Sequence, residues 1–269
     1  MSNIHLLTNK RIDVSVTTFP AGEVNVFVPF CRGDKIGIRA MIRDSKDVMT
    51  LLLTVDAVKR RCEYDELYLV MPYIPYARQD RVCNEGEAFS LKVFANLINS
   101  CEFDKVIVTD PHSDVAPALI DNCVIEEQWE NILYLKDTDS LFEEILSKSD
   151  VVSPDAGAEK KTTKLCQKIG KEYFHRGIKH RDLSTGRLSG FDVQFNNPYG
   201  KIPESVLIVD DICDGGGTFI GLANVLKERG VKRVYLYVTH GIYSKGKNYL
   251  LNKGVDALFQ KFDWTGGIS

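Results

Sequence analysis

The chain of 269 residues predicts an α/β protein built around parallel sheets, and three observations carry that expectation. Short apolar runs suited to buried strands recur as LYLVMPY at 67–73, KVIVTD at 105–110, DVVSPD at 150–155, SVLIVDD at 205–211 and RVYLYVTH at 233–240. Helix-length amphipathic stretches lie between many of them, at 45–61, 90–100, 158–169 and 219–229. Strand and helix alternating in this way is the mark of βαβ units, because parallel neighbours need a crossover. Several runs also end in carboxylates or histidine, in TDPHSD, SPDAG and VDDICD. In open parallel sheets ligands bind beyond the carboxyl ends of strands, so polar residues there point to function rather than packing.

Composition agrees with a globular protein: 44% of residues are hydrophobic and 26% charged. A formal net charge of −3 argues against a generally basic nucleic-acid binder and makes any cationic chemistry local. Residues 1–10 hold no apolar core of signal-peptide length, and no apolar run approaches a membrane span, so a cytoplasmic location with no membrane partner is expected. The seven cysteines form no C-x-x-C pair and are expected to be reduced, mostly buried thiols. Polar and aromatic residues in CVIEEQWENILYLKD separate one strand-helix series from the next, which divides the chain into domains 1–127 and 128–269. Two similar halves sharing one cleft is the expected arrangement.

Two constellations stand out from an ordinary fold. In VLIVDDICDGGGTF, a strand delivers Asp210 and Asp211 to its tip, Asp214 follows in the turn, and Gly215, Gly216 and Gly217 precede Thr218. Adjacent carboxylates repel and are costly to desolvate, and consecutive glycines lose much backbone entropy on folding, so a ligand must be using the string. A helix starting near Phe219 would aim backbone N–H groups at a phosphate, while the carboxylates accept hydrogen bonds from sugar hydroxyls or approach a divalent metal through water. Neither common nucleotide loop, G-x-x-x-x-G-K-[ST] or G-x-G-x-x-G, fits here. In MPYIPYARQDR at 71–81, two prolines suggest an extended segment that presents Arg78, Gln79, Asp80 and Arg81 in succession. Arginine forks match phosphate oxygens, and an amide can read a purine edge.

The acidic glycine string resembles the ribose-phosphate signature of the type I phosphoribosyltransferase fold. With ARQDR, and with SKDVMTLLLTVDAVKRR, SLKVFANLI, VVSPDAGAEKKTTKL and VTHGIYSKG in order along nearly the whole chain, the sequence resembles the ribose-phosphate pyrophosphokinase family. That resemblance implies two phosphoribosyltransferase-like domains and a homo-oligomer, a dimer or dimer-based ring, with ATP bound partly by a neighbouring subunit. It implies ATP contacts from Phe19, Ala21, Gly22 and Glu23 in FPAGE and from Arg78 and Gln79. Magnesium would be held by His112 and Asp155, with Asp110 and Asp121 at acidic positions nearby. The basic segment FHRGIKHRDLSTGR reads locally as a loop, a hairpin tip or a flap; by resemblance Lys179 and Arg181 are the family's catalytic lysine and arginine. Asp210, Asp211, Asp214, Arg181 and the stretch from Gly215 to Thr218 would hold ribose 5-phosphate.

The chain also departs from the family pattern. Ala21 stands where the family carries an aspartate, and Gly215 where it carries a threonine whose hydroxyl faces the 5-phosphate. SDVAPALID replaces a glutamine-rich stretch, and a helix between NIHLLTNK and RIDVSVTTF is missing. The expected reaction is magnesium-dependent transfer of the diphosphoryl group of ATP to ribose 5-phosphate. An alternative acceptor is ADP-ribose, used by some phage enzymes resembling the family in NAD synthesis. A phosphoribosyltransferase would share the glycine string without needing ARQDR or the K-x-R segment. A non-catalytic regulatory relative would be expected to have lost the residues that are present at 112, 155, 179 and 181.

Overall fold

The structure, a computed structural model, describes residues 3–181, 188–198 and 200–265, and the chain divides into two compact units that part between Glu126 and Glu127. The first contains β1 (Ile4–Leu7), β2 (Arg11–Asp13), β3 (Ser15–Thr18), β4 (Val24–Phe27), β5 (Lys35–Ala40), α1 (Ser45–Arg61), β6 (Glu66–Val70), α2 (Ser90–Asn99), β7 (Lys105–Thr109), α3 (Val115–Leu119) and β8 (Cys123–Glu126). Its sheet runs β2-β1-β5-β6-β7-β8, parallel from β5 to β8, with β1 antiparallel to both its neighbours. A separate antiparallel ribbon pairs β3 with β4.

Local chemistry sets these elements. The Asp44 carboxylate accepts from the Asp47 backbone N–H at 2.9 Å and starts α1, while Lys59, Arg60 and Arg61 complement the helix dipole at its end. Between them, Val48, Leu51, Val55 and Val58 form one buried stripe at helical spacing. They pack in one core with Ile36, Ile38, Leu67, Leu69, Val106 and Val108 from the sheet.

The second unit contains α4 (Gln128–Thr138), α5 (Ser140–Lys148), β9 (Asp150–Ser153), α6 (Glu159–Ile169), β10 (His175–Arg181), β11 (Leu188–Gln194), β12 (Ser205–Cys213), α7 (Gly217–Glu228), β13 (Arg233–Gly241), α8 (Lys247–Leu251) and β14 (Ala257–Asp263). Its strand order is β11-β10-β9-β12-β13-β14, all parallel except the β10–β11 hairpin. Alternate residues of the central strands enter two cores. Val206, Ile208, Val234, Leu236 and Val238 meet Leu222 and Leu226 of α7, whereas Leu207, Val209, Tyr235 and Tyr237 meet Phe142 of α5 and Leu165 of α6. A sheet buried on both faces explains why these strands read as continuous apolar runs. The fold is thus α/β, two mainly parallel sheets each flanked by helices.

Several local expectations change. The segment after β6 is not extended: Ala77 N–H donates to the Ile74 carbonyl at 3.2 Å and Gln79 N–H to the Tyr76 carbonyl at 2.8 Å, two turns that place Tyr76 at φ 64°. The prolines at 72 and 75 fix their own φ, but they leave the following residues free to turn. The helix after the glycine string begins at Gly217 rather than near Phe219, because Gly216 takes the N-cap position in the left-handed region at φ 73°. All seven cysteines are free thiols; Cys31, Cys101, Cys166 and Cys213 are buried, and Cys83 is exposed. Cys31 and Cys62 lie in contact, with their sulfurs 2.9 Å apart.

In the basic segment, β10 and β11 pair as the two arms of a hairpin, and two close backbone approaches fix its base. A Cβ at Gly177 of β10 would lie 2.6 Å from the Pro154 carbonyl oxygen, and one at Gly221 of α7 would lie 2.0 Å from the Phe191 ring of β11. Phe191 is the cross-strand partner of Lys179, so the ring seated on Gly221 sets the position of that lysine. Gly221→Ala is expected to destabilise the protein by about 1–3 kcal/mol through overpacking, as measured by denaturant unfolding.

Candidate active site

In the first unit, Phe19, Ala21, Gly22 and Glu23 form the tip of the β3–β4 ribbon. Phe19 N–H donates to the Glu23 carbonyl and Gly22 N–H to the Phe19 carbonyl, both at 2.8 Å, which closes the turn. The ring of Phe19 stays 55% exposed there, more than packing would leave it. Arg78 and Gln79 are exposed on the turns after β6, and the Gln79 carbonyl accepts from Leu91 N–H at the start of α2.

Asp80, beside them, is buried and bonded to Arg81 Nε at 2.9 Å. That guanidinium holds its carboxyl below the ordinary range against the opposing effect of burial, with further help from the Ser113 hydroxyl and the charge of His112. The Arg78–Gln79 turn and the loop carrying His112 are therefore neighbours. His112 itself is exposed just past the carboxyl end of β7. Asp110, at φ 47°, donates its N–H to the Glu126 carbonyl at 2.8 Å on the same edge. Asp121 is elsewhere: it precedes β8, and its N–H is bonded to the Asn99 side chain at 3.0 Å. Because β7 and β8 run parallel, Asp121 stands at the opposite edge of the sheet from Asp110 and His112, which corrects its grouping with them.

In the second unit, parallel strands bring three loops to one edge of the sheet. Asp155 follows β9, Asp210 and Asp211 lie in the last half of β12 with Asp214 in the turn beyond, and the 242–246 loop follows β13. β10 runs parallel to β9 and continues past it, since Arg176 is paired with Ser153, and this carries Lys179 to the same edge. There Lys179 Nζ meets Asp155 Oδ2 at 2.5 Å, while Asp155 Oδ1 accepts from the Ala158 N–H at 3.1 Å.

Asp210 lies among these groups. Burial, and then the negative charges of Asp211 and Asp155, push its carboxyl well above the ordinary range, despite a hydrogen bond from the Asp211 N–H at 2.9 Å. Asp211 is 5% exposed and has Lys161 Nζ of α6 at 3.8 Å. Beyond them, Ile242 and Tyr243 both donate N–H groups to the Cys213 carbonyl, at 2.8 and 3.0 Å, and tie the 242–246 loop to the turn. Gly215, Gly216, Gly217 and Thr218 lead into α7, whose first N–H groups have no partner within the helix. Arg181 is the last residue of β10; its side chain, and residues 182–187, lie outside the described residues.

The structure thus gathers Asp155, Lys179, Asp210, Asp211 and the glycine turn at one edge of the second unit, and Arg78, Gln79, Asp110 and His112 at one edge of the first. Sequence reasoning missed Lys161 and the Phe191–Gly221 contact. Three lysines crowd one helix in AEKKTTKL, so spacing alone did not single out the one facing Asp211.

Two family models match the chain: the N-terminal domain of ribose phosphate pyrophosphokinase over residues 4–101, and the phosphoribosyl synthetase-associated domain over residues 199–257. The ribose-phosphate pyrophosphokinase of Pyrococcus furiosus is 30% identical over 248 residues, which cover 91% of this chain and 84% of the relative. That of Pyrococcus abyssi is 31% identical over 252 residues, covering 92% and 82%. That of Aquifex aeolicus is 35% identical over 235 residues, covering 86% and 72%. Among solved structures, phosphoribosylpyrophosphate synthetase from Mycobacterium smegmatis has a similar fold, with a TM-score of 0.73 at 22% identity, covering 92% of this chain and 79% of that one. On this evidence the chain belongs to the ribose-phosphate pyrophosphokinase family of enzymes.

Proposed function

We propose that the chain catalyses magnesium-dependent transfer of the β,γ-diphosphoryl group of ATP to the anomeric hydroxyl of ribose 5-phosphate, giving phosphoribosyl pyrophosphate and AMP. The observation that carries this reading is the meeting of the Lys179 hairpin and the acidic glycine turn around Asp155. In this reading Asp210, Asp211 and Asp214 accept hydrogen bonds from the ribose hydroxyls, and the backbone from Gly215 to Thr218 cradles the 5-phosphate. Arg78 and Gln79, with Phe19 and Glu23, take the nucleotide.

The oxygen of the anomeric hydroxyl attacks the β-phosphorus, the bond from the β-phosphorus to the oxygen it shares with the α-phosphate breaks, AMP departs with that oxygen, and the hydroxyl proton passes to solvent. Lys179 and Arg181 stabilise the charge on the transferring group, so positioning and charge neutralisation suffice without a protein nucleophile. Asp155 holds the Lys179 ammonium at this edge, where phosphate oxygens compete for it.

The donor set fits a sparse magnesium site. Among the described residues no three His, Cys, Asp or Glu side chains converge as metal ligands, so a magnesium ion at Asp155 of the second unit would take most of its shell from phosphate oxygens and water; His112 is the candidate donor in the first unit. The crowding of Asp155, Asp210 and Asp211 is the condition that a nearby cation relieves. When bound, magnesium neutralises triphosphate charge. A homo-oligomer is part of the same reading.

A second acceptor, ADP-ribose, is favoured by one observation: at Gly217, the last glycine of the turn, a built Cβ meets nothing within 4 Å, so the space beside that residue is open. Incubation with ATP and either acceptor, followed by chromatography, is expected to release AMP with a pyrophosphorylated sugar. AMP release with ADP-ribose alone would replace the first acceptor by the second, and release with neither would overturn the reaction.

Lys179→Ala is expected to lower turnover about 100-fold or more while leaving ribose 5-phosphate binding in place; undiminished turnover would remove Lys179 from the mechanism. Asp210→Asn separates activity from stability. Because the folded-state pKa of Asp210 is raised, the residue costs stability progressively as pH rises from the ordinary carboxylate range toward that pKa, and the full cost persists above it. The variant should therefore lose activity yet melt higher at neutral pH, by about 2–4 °C per kcal/mol of repulsion relieved, with the gain vanishing below the ordinary carboxylate range.

A further inference from the structure

We infer that Lys245, with Ser244, forms the outer wall of the 5-phosphate subsite and supplies side-chain donors beside Gly215, a position that has none of its own. The inference rests on the proposed ribose-phosphate role of that turn and adds a cation to it. A Cβ built at Gly215 has two neighbours, Lys245 Cε and Ser244 Oγ, each at 3.9 Å. The ammonium-bearing carbon and a hydroxyl therefore border the position from which a side chain would otherwise face the phosphate.

The loop that presents them is held firmly. Its two hydrogen bonds to the Cys213 carbonyl fix it to the turn, Gly246 N–H closes it on the Tyr243 carbonyl at 2.7 Å, and the Tyr243 hydroxyl donates to Gln260 at 3.1 Å. Of the two lysines at this corner, Lys247 is neutralised by Asp263 at 2.6 Å. Among the described residues Lys245 is paired with no carboxylate; its ammonium rests 5.1 Å from the centre of the Tyr249 ring, which Lys253 approaches from 4.9 Å. A second cation on the same ring weakens the hold of that ring on Lys245, and the ammonium can swing to a phosphate at the turn. Backbone N–H groups alone bind an anion without its countercharge; a lysine at the rim provides it.

Gly215 also offers an independent check. Its backbone lies outside the left-handed region, and the neighbours of its Cβ are at ordinary contact distance, so Gly215→Thr fits without strain and brings a hydroxyl to the same phosphate.

The test is calorimetric binding of ribose 5-phosphate, with ribose as the control lacking phosphate, to the wild-type protein, Lys245→Met and the double variant with Gly215→Thr. Lys245→Met is expected to weaken ribose 5-phosphate binding about tenfold or more while AMP binding is retained, and the double variant to recover part of that loss. Equal affinity of wild type and Lys245→Met would overturn the inference, as would wild-type binding no tighter than that of ribose. Failure of the parent reading looks different: ribose 5-phosphate binds, lysine-dependent, yet ATP yields no AMP.

Discussion

Crowded negative charge at the carboxyl end of the second sheet is the constraint around which this molecule is organised. Asp155, just beyond β9, and Asp210 and Asp211, in the last half of the neighbouring β12, come together there, and water is largely excluded from Asp211. Left alone, such a group is unfavourable, because each carboxylate raises the cost of ionising its neighbours. Lys179 and Lys161 supply the offsetting charge from two different elements, a hairpin strand and a helix. The hairpin is consequently part of the electrostatics of the sheet edge and not an appendage to it. Its base is locked at Gly177 and Gly221 because the ammonium must arrive at one place.

This arrangement explains why the same residues serve chemistry. A site that must bind a polyphosphate and a sugar needs acceptors for hydroxyls, cations for phosphates, and backbone N–H groups with no internal partner. Each comes from a different structural device here: strand ends supply the carboxylates, a twisted hairpin the lysine, and the opening of α7 the N–H groups. Their common location follows from parallel topology, which sends every strand's carboxyl end to one edge.

Much of this was legible in the sequence, for physical reasons. Strands buried on both faces must be apolar throughout, so β6, β7, β9, β12 and β13 announced themselves, and the capped, periodic α1 did likewise. Elements with weaker signals were silent. Of the antiparallel additions, β1 is buried but only four residues long, β2, β3 and β4 have largely exposed patterns, and the short helices α3 and α8 contain a single turn or little more. The clustering of Asp155 with Asp210 was visible only through resemblance, since 55 residues separate them and spacing carries no distance at that range. Asp121 shows the converse: an acidic residue near a metal-type loop in sequence, sent to the far edge by the direction of the next strand. The ARQDR segment was read by residue type, and its turns were missed because proline restrains only its own φ and its immediate predecessor.

The two sheets differ in how they can be completed during synthesis. Every strand of the first has been synthesised by Glu126, before the second begins, so that unit can assemble once it emerges while its successor is still being made. In the second, the central pairing joins β9 to β12 across the whole intervening helix and hairpin. Its core therefore closes late, after a long loop has been drawn together, and the nascent chain carries the exposed edge of β9 until then.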